Sequence, residues 1–296
     1  KTYTWMEYFI KRIAEEQKAS GIRLLDVIDI HSYPGETKDE DILQLHRIYF
    51  DTTYVYPGAN GVKTTSPSGW DNNITKEFIF ERCNRWLNQY AGPNHHVNFG
   101  VSEYGFKNIN ANVTAVSYAS MLGTFAEHNV EYFTPWYWEN GMWEVLHLFS
   151  RYAQRVSVKS ASANEQTVSA YSSINATADS MTIILVNRSV NQAQTVNVKL
   201  DNFVVTNGNY STKQLKQLPA NETFESHTKN QLQAGTVNVS NNAFSTSLPA
   251  LSITAVIIKG KGSSTGFNET EMVRKNLTVY PNPVSAEEHL TVDLNS

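Results

Sequence analysis

Cysteine is nearly absent from this chain: 296 residues contain only Cys83. That excludes an internal disulfide framework and any multi-cysteine metal site. Cys83 lies in a helical pattern with Ile79, Trp86 and Leu87, which reads as a buried bystander, not a nucleophile. No stretch reaches the roughly 18 consecutive apolar residues that a membrane span needs. Basic excess is lacking too: the net charge of -4 argues against a nucleic-acid binder, which shows a basic patch or stripe. The chain opens at Lys1 with neither an initiator methionine nor a signal-peptide pattern. It therefore reads as an internal piece of something longer, with targeting to be sought at its other end.

What is present is apolar and aromatic: 41% hydrophobic and 11% aromatic residues, in a length sufficient for two domains. Residues 1–150 alternate between helical and strand patterns. Residues 3–20 place Trp5, Phe9 and Ile13 at helical spacing and stop at Gly21. A strand is expected over 23–31, a helix over 75–92 ending at Gly92-Pro93, and a strand in NFGVSEYGF (98–106). A helix follows over 112–129, a strand over 130–138 and a last helix over 144–154. Strands alternating with helices imply βαβ units, hence parallel strands whose C-terminal ends share one rim. The longest excursion, 32–74, leaves that rim and holds Tyr54, Tyr56 and Trp70. Such length with such aromatics favours a functional loop.

Beyond about Arg155 the helical period disappears. Short runs rich in Val, Thr, Ser and Asn recur (SMTIILVN, QTVNVKL, LSITAVIIK), the pattern of an antiparallel sandwich. Sequons at Asn175, Asn187, Asn209, Asn221 and Asn238 read as a by-product of that composition. The expected organisation is therefore 1–154 α/β, 155–260 β-sandwich, 261–275 a flexible linker, and a short tail over 276–296.

If the strands are parallel, one rim gathers His31 with Tyr33, Glu103 with Tyr104, and Trp136 with Trp138 and Glu139. A carboxylate at the end of a buried strand is costly unless compensated. Glu103 is thus either half of a structural ion pair or a reacting group. Aromatic faces stack on sugar rings, and carboxylates supply the nucleophile and acid/base of glycoside hydrolysis. Other candidates are weaker. His31 could equally be a satisfied strand-end histidine. His95 and His96 are adjacent and diverge from an extended chain, a poor metal pair. Glu36, Asp39, Glu40 and Asp41 read as a solvated loop face; structural calcium there lacks an EF-type spacing. Glu139 and Glu144 either line the cleft or begin the next helix.

The order RLLDVIDIHSYP, HRIYFDTTYVYPG, FGVSEYGF, YFTPWYW and then a β-sandwich resembles the C-terminal half of glycoside hydrolase family 44, over about residues 1–260. The resemblance implies the last strands of a (β/α)8 barrel followed by an antiparallel β-sandwich. It implies an endoglucanase or xyloglucanase acting by a retaining mechanism, with Glu103 as nucleophile. It maps cleft aromatics onto Tyr33 and onto Trp136 or Trp138; with the rim neighbours His31 and Tyr104 these are the expected substrate contacts. No cofactor is required, and the partner is a plant-type β-glucan polysaccharide. The family's acid/base glutamate belongs to an Asn-Glu-Pro-like segment on an earlier strand, and no such segment exists here: Asn221-Glu222 is followed by Thr223. The piece alone is therefore expected to be inactive. The tail, with Tyr280–Val284 reading YPNPV, resembles the start of a type IX secretion sorting domain. That implies export to the medium or cell surface through that machinery; the alternative is a terminal hairpin of the sandwich. A noncatalytic carbohydrate-binding surface protein is the competing function, and another retaining barrel family of the same clan is the nearest enzymatic rival.

Overall fold

Thr4 leaves the chain extended while its hydroxyl accepts the Glu7 N–H, and this cap starts α1 (Trp5–Ser20). Gly21, at φ 69°, ends the helix in the left-handed conformation that glycine adopts without a Cβ penalty. The computed structural model describes residues 3–58, 62–63, 70–71, 76–262, 277–280 and 291–294, with side chains over 3–58 and 76–262. After α1 come β1 (Val27–Ser32), α2 (Asp39–Ile42), a 3-10 turn (Leu45–Ile48), β2 (Val62–Lys63) and β3 (Trp70–Asp71). α3 (Ile79–Tyr90), β4 (Asn98–Tyr104), α4 (Ala111–Glu127), β5 (Tyr132–Pro135) and α5 (Met142–Tyr152) complete this stretch.

β1, β4 and β5 form a parallel sheet in the order β1-β4-β5. One face packs Ile28, Phe99 and Val101 into the core with Phe80 of α3 and Phe125 of α4. The other face carries Asp29, Asn98, Tyr132 and Thr134, all exposed. Both outer strands end the sheet, so β1 and β5 each leave an edge without a partner strand among the described residues.

The 32–74 excursion corrects the sequence reading in part. Its first half is core, not rim: Ile42, Leu43, Leu45, Ile48 and Tyr49 are buried, and Tyr54 is buried under the Arg47 guanidinium. Asp39–Asp41 form the first turn of α2, where acidic residues suit the helix dipole. Residues 59–61, 64–69 and 72–75 lie outside the described residues.

His46 is buried in the same turn. Desolvation, then the charges of Arg188 and Arg47, hold its imidazole well below the ordinary value of 6.5. The sign of the consequence is fixed: below about pH 6.5 the unfolded chain takes up a proton that the folded chain refuses. Stability is therefore present above that pH and falls as pH drops, by up to about 1.4 kcal/mol per pH unit from this group. His95, His128 and His147, also held low by burial, add slopes of the same sign. Urea midpoints measured between pH 7 and 5 are expected to fall less steeply in His46→Leu than in the parent chain.

The second half of the chain is antiparallel. β6 (Val156–Val158), β7 (Val168–Ile174), β8 (Ser180–Asn187), β9 (Gln194–Lys199), β10 (Phe203–Val205), β11 (Gly208–Leu215), β12 (Gln233–Val239), β13 (Ala243–Leu248) and β14 (Ser252–Gly262) follow in turn. Seven of them make one sheet, in the order β12-β11-β14-β8-β7-β6 with β10 also on β14, while β9 pairs with β13. β8 is buried at every position. On one side Ile184 and Val186 share a core with Val116 and Ala119 of α4; on the other, Met181, Ile183 and Leu185 pack with Phe244 and Leu248 of β13. The large sheet is thus a middle layer between α4 and the β9–β13 pair.

α4 is buried on almost all sides. Gly123 lets it approach β7 closely, because a Cβ there would overlap the Tyr171 ring. The composition changes at 155, but packing does not break there: residues Lys1–Lys261 form one compact unit and Gly262–Ser296 a second. The Asn187 sequon is unavailable to modification, since its amide is buried and donates to the Leu248, Pro249 and Gln192 carbonyls. In the second unit β15 (Leu277–Tyr280) pairs antiparallel with β16 (Thr291–Leu294), and Pro281–Val284 of the YPNPV motif lie outside the described residues. No helix among the described residues is long and apolar enough to cross a membrane.

Candidate active site

β1 and β4 run parallel, so their C-terminal ends arrive together and His31 pairs in register with Glu103. Tyr33, two residues on, reaches back over the same point. Its hydroxyl donates to Glu103 Oε2 at 2.7 Å, and His31 Nδ1 lies 3.2 Å from the same oxygen. Glu103 is a half-buried carboxylate, 27% exposed at its side chain. Both contacts use Oε2, and Oε1 makes no hydrogen bond among the described residues. The Tyr33 phenol is pushed up to about 12, by desolvation first and then by its hydrogen bond to Glu103 and that group's charge. It therefore stays protonated and donating across the pH range in which a carboxylate is ionised.

β5 delivers the third part of the rim. The Trp136 N–H donates to the Tyr104 carbonyl at 2.7 Å, carrying the pairing one residue past the strand. Trp136 is 66% exposed. Trp138 stacks on Trp143 at the start of α5 with centroids 3.9 Å apart and planes 14° from parallel. Tyr137 packs against the chain at Gly105, where a Cβ would collide with its ring. Trp143 and Tyr137 escaped the sequence reading. Tyr137 carried a signal, since it sits between two tryptophans already chosen; Trp143 reads as an ordinary helix residue.

The expectation that Tyr104 contacts substrate is corrected. Neighbours on a strand face opposite sides, so a rim-facing Glu103 sends Tyr104 inward. Its ring is fully buried, edge-on to Phe106 and Phe133. Glu144 does not line the cleft either. It is buried at the start of α5 and accepts from the Thr223 hydroxyl and the Gln231 N–H, and burial pushes its carboxyl up. His95 and His96 build a turn: His95 Nδ1 accepts the Val97 N–H, and Arg23 donates to the His96 carbonyl. Cys83 is buried in α3, its thiol pushed up to about 12 by desolvation. Among the described residues no group of three or more His, Cys, Asp or Glu side chains could hold a metal ion.

Chemically, the rim offers one carboxylate steadied by a phenol and an imidazole, between exposed indoles suited to stacking on sugar rings. No second carboxyl contacts Glu103, Tyr33 or His31 among the described residues. The rim is open to solvent, with the Tyr33 and Trp136 side chains and the His31 imidazole exposed.

No known family model matches the chain. It is 22% identical over 274 residues to β-mannanase/endoglucanase A of Caldicellulosiruptor saccharolyticus, covering 83% of this chain and 20% of that protein. Among solved structures it is similar to Cel44A, a glycoside hydrolase family 44 endoglucanase from Clostridium thermocellum, with TM-score 0.68 and 21% identity over 86% of this chain and 51% of that one. A family 44 xyloglucanase from Paenibacillus polymyxa also has TM-score 0.68, at 16% identity over 86% and 50%. The chain therefore shares the fold of these hydrolases and spans about half the length of the solved structures it matches.

Proposed function

We propose that this chain is the C-terminal half of a secreted retaining glycoside hydrolase that cleaves β-1,4-linked glucan or xyloglucan, with Glu103 as nucleophile. The observation that carries the reading is the Tyr33–Glu103–His31 contact at the shared end of two parallel strands, flanked by exposed tryptophans. The fold likeness to family 44 enzymes supports it. So does the open sheet: three parallel strands cannot close a barrel, and the polar face of β1-β4-β5 suits the interior of one completed by earlier strands. In that reading Glu103 attacks the anomeric carbon as the glycosidic oxygen leaves, protonated by an acid/base carboxyl. Water then releases the sugar from the covalent ester. The acid/base belongs to a preceding segment, so these 296 residues alone do not hydrolyse polysaccharide. Export through a C-terminal sorting segment belongs to the same reading.

The competing binder reading would have the antiparallel sheets and the aromatic rim hold sugar without chemistry. The Glu103 carboxylate at the strand end counts against it, since stacking aromatics suffice for binding, and the antiparallel sheets add little. Their described surface presents Val204 as its large exposed hydrophobic, whereas Tyr33, Tyr132, Trp136, Trp138 and Trp143 all belong to the α/β stretch. Covalent trapping tests the proposal. A 2-deoxy-2-fluoro cello-oligosaccharide with a good leaving group, incubated with the longer protein, is expected to add one glycosyl mass to the peptide bearing Glu103. A label on another carboxylate, or polysaccharide binding with no label, would sink the assignment. Hydrolysis of β-glucan by the isolated 296-residue chain would show that the acid/base is not missing.

A further inference from the structure

The chain changes step one residue before Glu103. Between β1 and β4 the register runs Ile30 with Val101 and then His31 with Glu103, so Ser102 has no partner on β1. Toward β5, Val101 with Phe133 is followed by Tyr104 with Pro135, so Ser102 and Glu103 together oppose Thr134. A bulge of this kind re-aims side chains and removes the extra residue's backbone groups from the ladder. Side chains from the two flanking strands take those groups here. The Ser102 N–H donates to Asp29 Oδ1 at 2.9 Å and the Ser102 hydroxyl to Asp29 Oδ2 at 2.5 Å. From the other side the Thr134 hydroxyl donates to the Ser102 carbonyl at 2.5 Å. The Tyr132 ring lies against Gly100, where a Cβ would overlap it.

Burial does not demand this network. Asp29 and Thr134 are exposed and Ser102 is half-buried, so water would satisfy the same groups. What the network fixes is direction. An unbulged β4 would place Ser102, not Glu103, opposite His31. With the bulge held, Glu103 stands beside Tyr33 and His31 while Tyr104 enters the core.

We propose that Asp29 and Thr134 are positioning residues for Glu103, clamping the Ser102 bulge from β1 and β5 so that the carboxylate is held in attacking geometry. The inference rests on the reading of Glu103 as nucleophile. Misplacing a reacting group by about 1 Å costs on the order of 100-fold. In the longer enzyme, Asp29→Ala and Thr134→Val are each expected to lower kcat, and the rate of fluoroglycoside labelling at Glu103, by roughly 100-fold, with KM changed less than about threefold. Thr134→Ser, which keeps the hydroxyl, restores both rates. A merely stabilising network would lower Tm without changing the turnover of each labelled site and would not separate Val from Ser. Should Asp29→Ala fail to fold, the Thr134 pair decides. Parent enzyme labelled at Glu103 with unaltered Thr134→Val rates sinks the clamp and leaves the functional reading standing. An enzyme that is inactive or labels elsewhere overturns that reading, and the clamp with it.

Discussion

With Glu103 as the proposed nucleophile, Glu103→Gln in the longer protein is expected to lower kcat on xyloglucan or β-glucan by at least about 10,000-fold, roughly 5 kcal/mol of transition-state stabilisation. The amide is nearly isosteric with the carboxylate. Its oxygen still accepts from Tyr33, which now holds Glu103 Oε2 at 2.7 Å, so the rim keeps its shape. What it loses is the charged oxygen that forms the glycosyl ester. If the exposed indoles at Trp136 and Trp138 carry binding, as proposed, oligosaccharide affinity should change little. Reducing-sugar release and calorimetric binding on the same preparation separate the two. A variant within about tenfold of the parent kcat would remove Glu103 from the reaction.

Arg188→Met is expected to cost about 3–5 kcal/mol of folding stability, read as a lowered urea midpoint. Arg188 is 3% exposed, just past β8. Its guanidinium donates to the Ser120 hydroxyl on α4 at 3.0 Å, the Ser169 hydroxyl on β7 at 2.6 Å, the Gln166 carbonyl at 3.3 Å, and the Glu165 carbonyl. Methionine fills the volume but takes the donor from the two buried hydroxyls, each a desolvation cost of about 1–3 kcal/mol before relaxation, and from the Glu165 carbonyl, while the Gln166 carbonyl keeps the Gln44 amide. Arg188→Lys keeps the charge yet cannot span four acceptors from one planar fork, so it should recover only part of the loss. A midpoint unchanged in Arg188→Met would mean that water replaces the guanidinium without cost.

Glu103, His31 and Tyr33 were legible because parallel pairing places strand ends together, and no finer geometry was needed to see them as neighbours. The step at Ser102 was not legible. Nothing in NFGVSEYGF distinguishes a bulged strand from a regular one; placing Tyr104 on the rim is a separate error, since alternation alone sends the neighbour of a rim-facing Glu103 inward. The four-residue α2 and the turn after it were too short to show a period, so the buried Ile42, Leu45 and Tyr49 passed for loop residues. The burial of Arg188 and Glu144 was missed for a different reason. Glu144 does begin the next helix, one of its two readings, but only partners on distant segments reveal that these charged residues are buried. Helix limits moved by a few residues; α3 begins at Ile79 because Phe78, at φ 28°, breaks the helical path before it.

α4 has a consequence for modularity. Composition divides the chain near 155, and a designer would cut there. Yet one side of α4 faces Phe125's aromatic cluster under the parallel sheet, and another faces Ile184 and Tyr171 of the antiparallel one. Severing the halves would strip an apolar wall from both. Shuffling this β-structure onto a foreign catalytic half would therefore require carrying α4 with it, and the unit that folds cooperatively, and can be inherited as one piece, straddles the visible boundary.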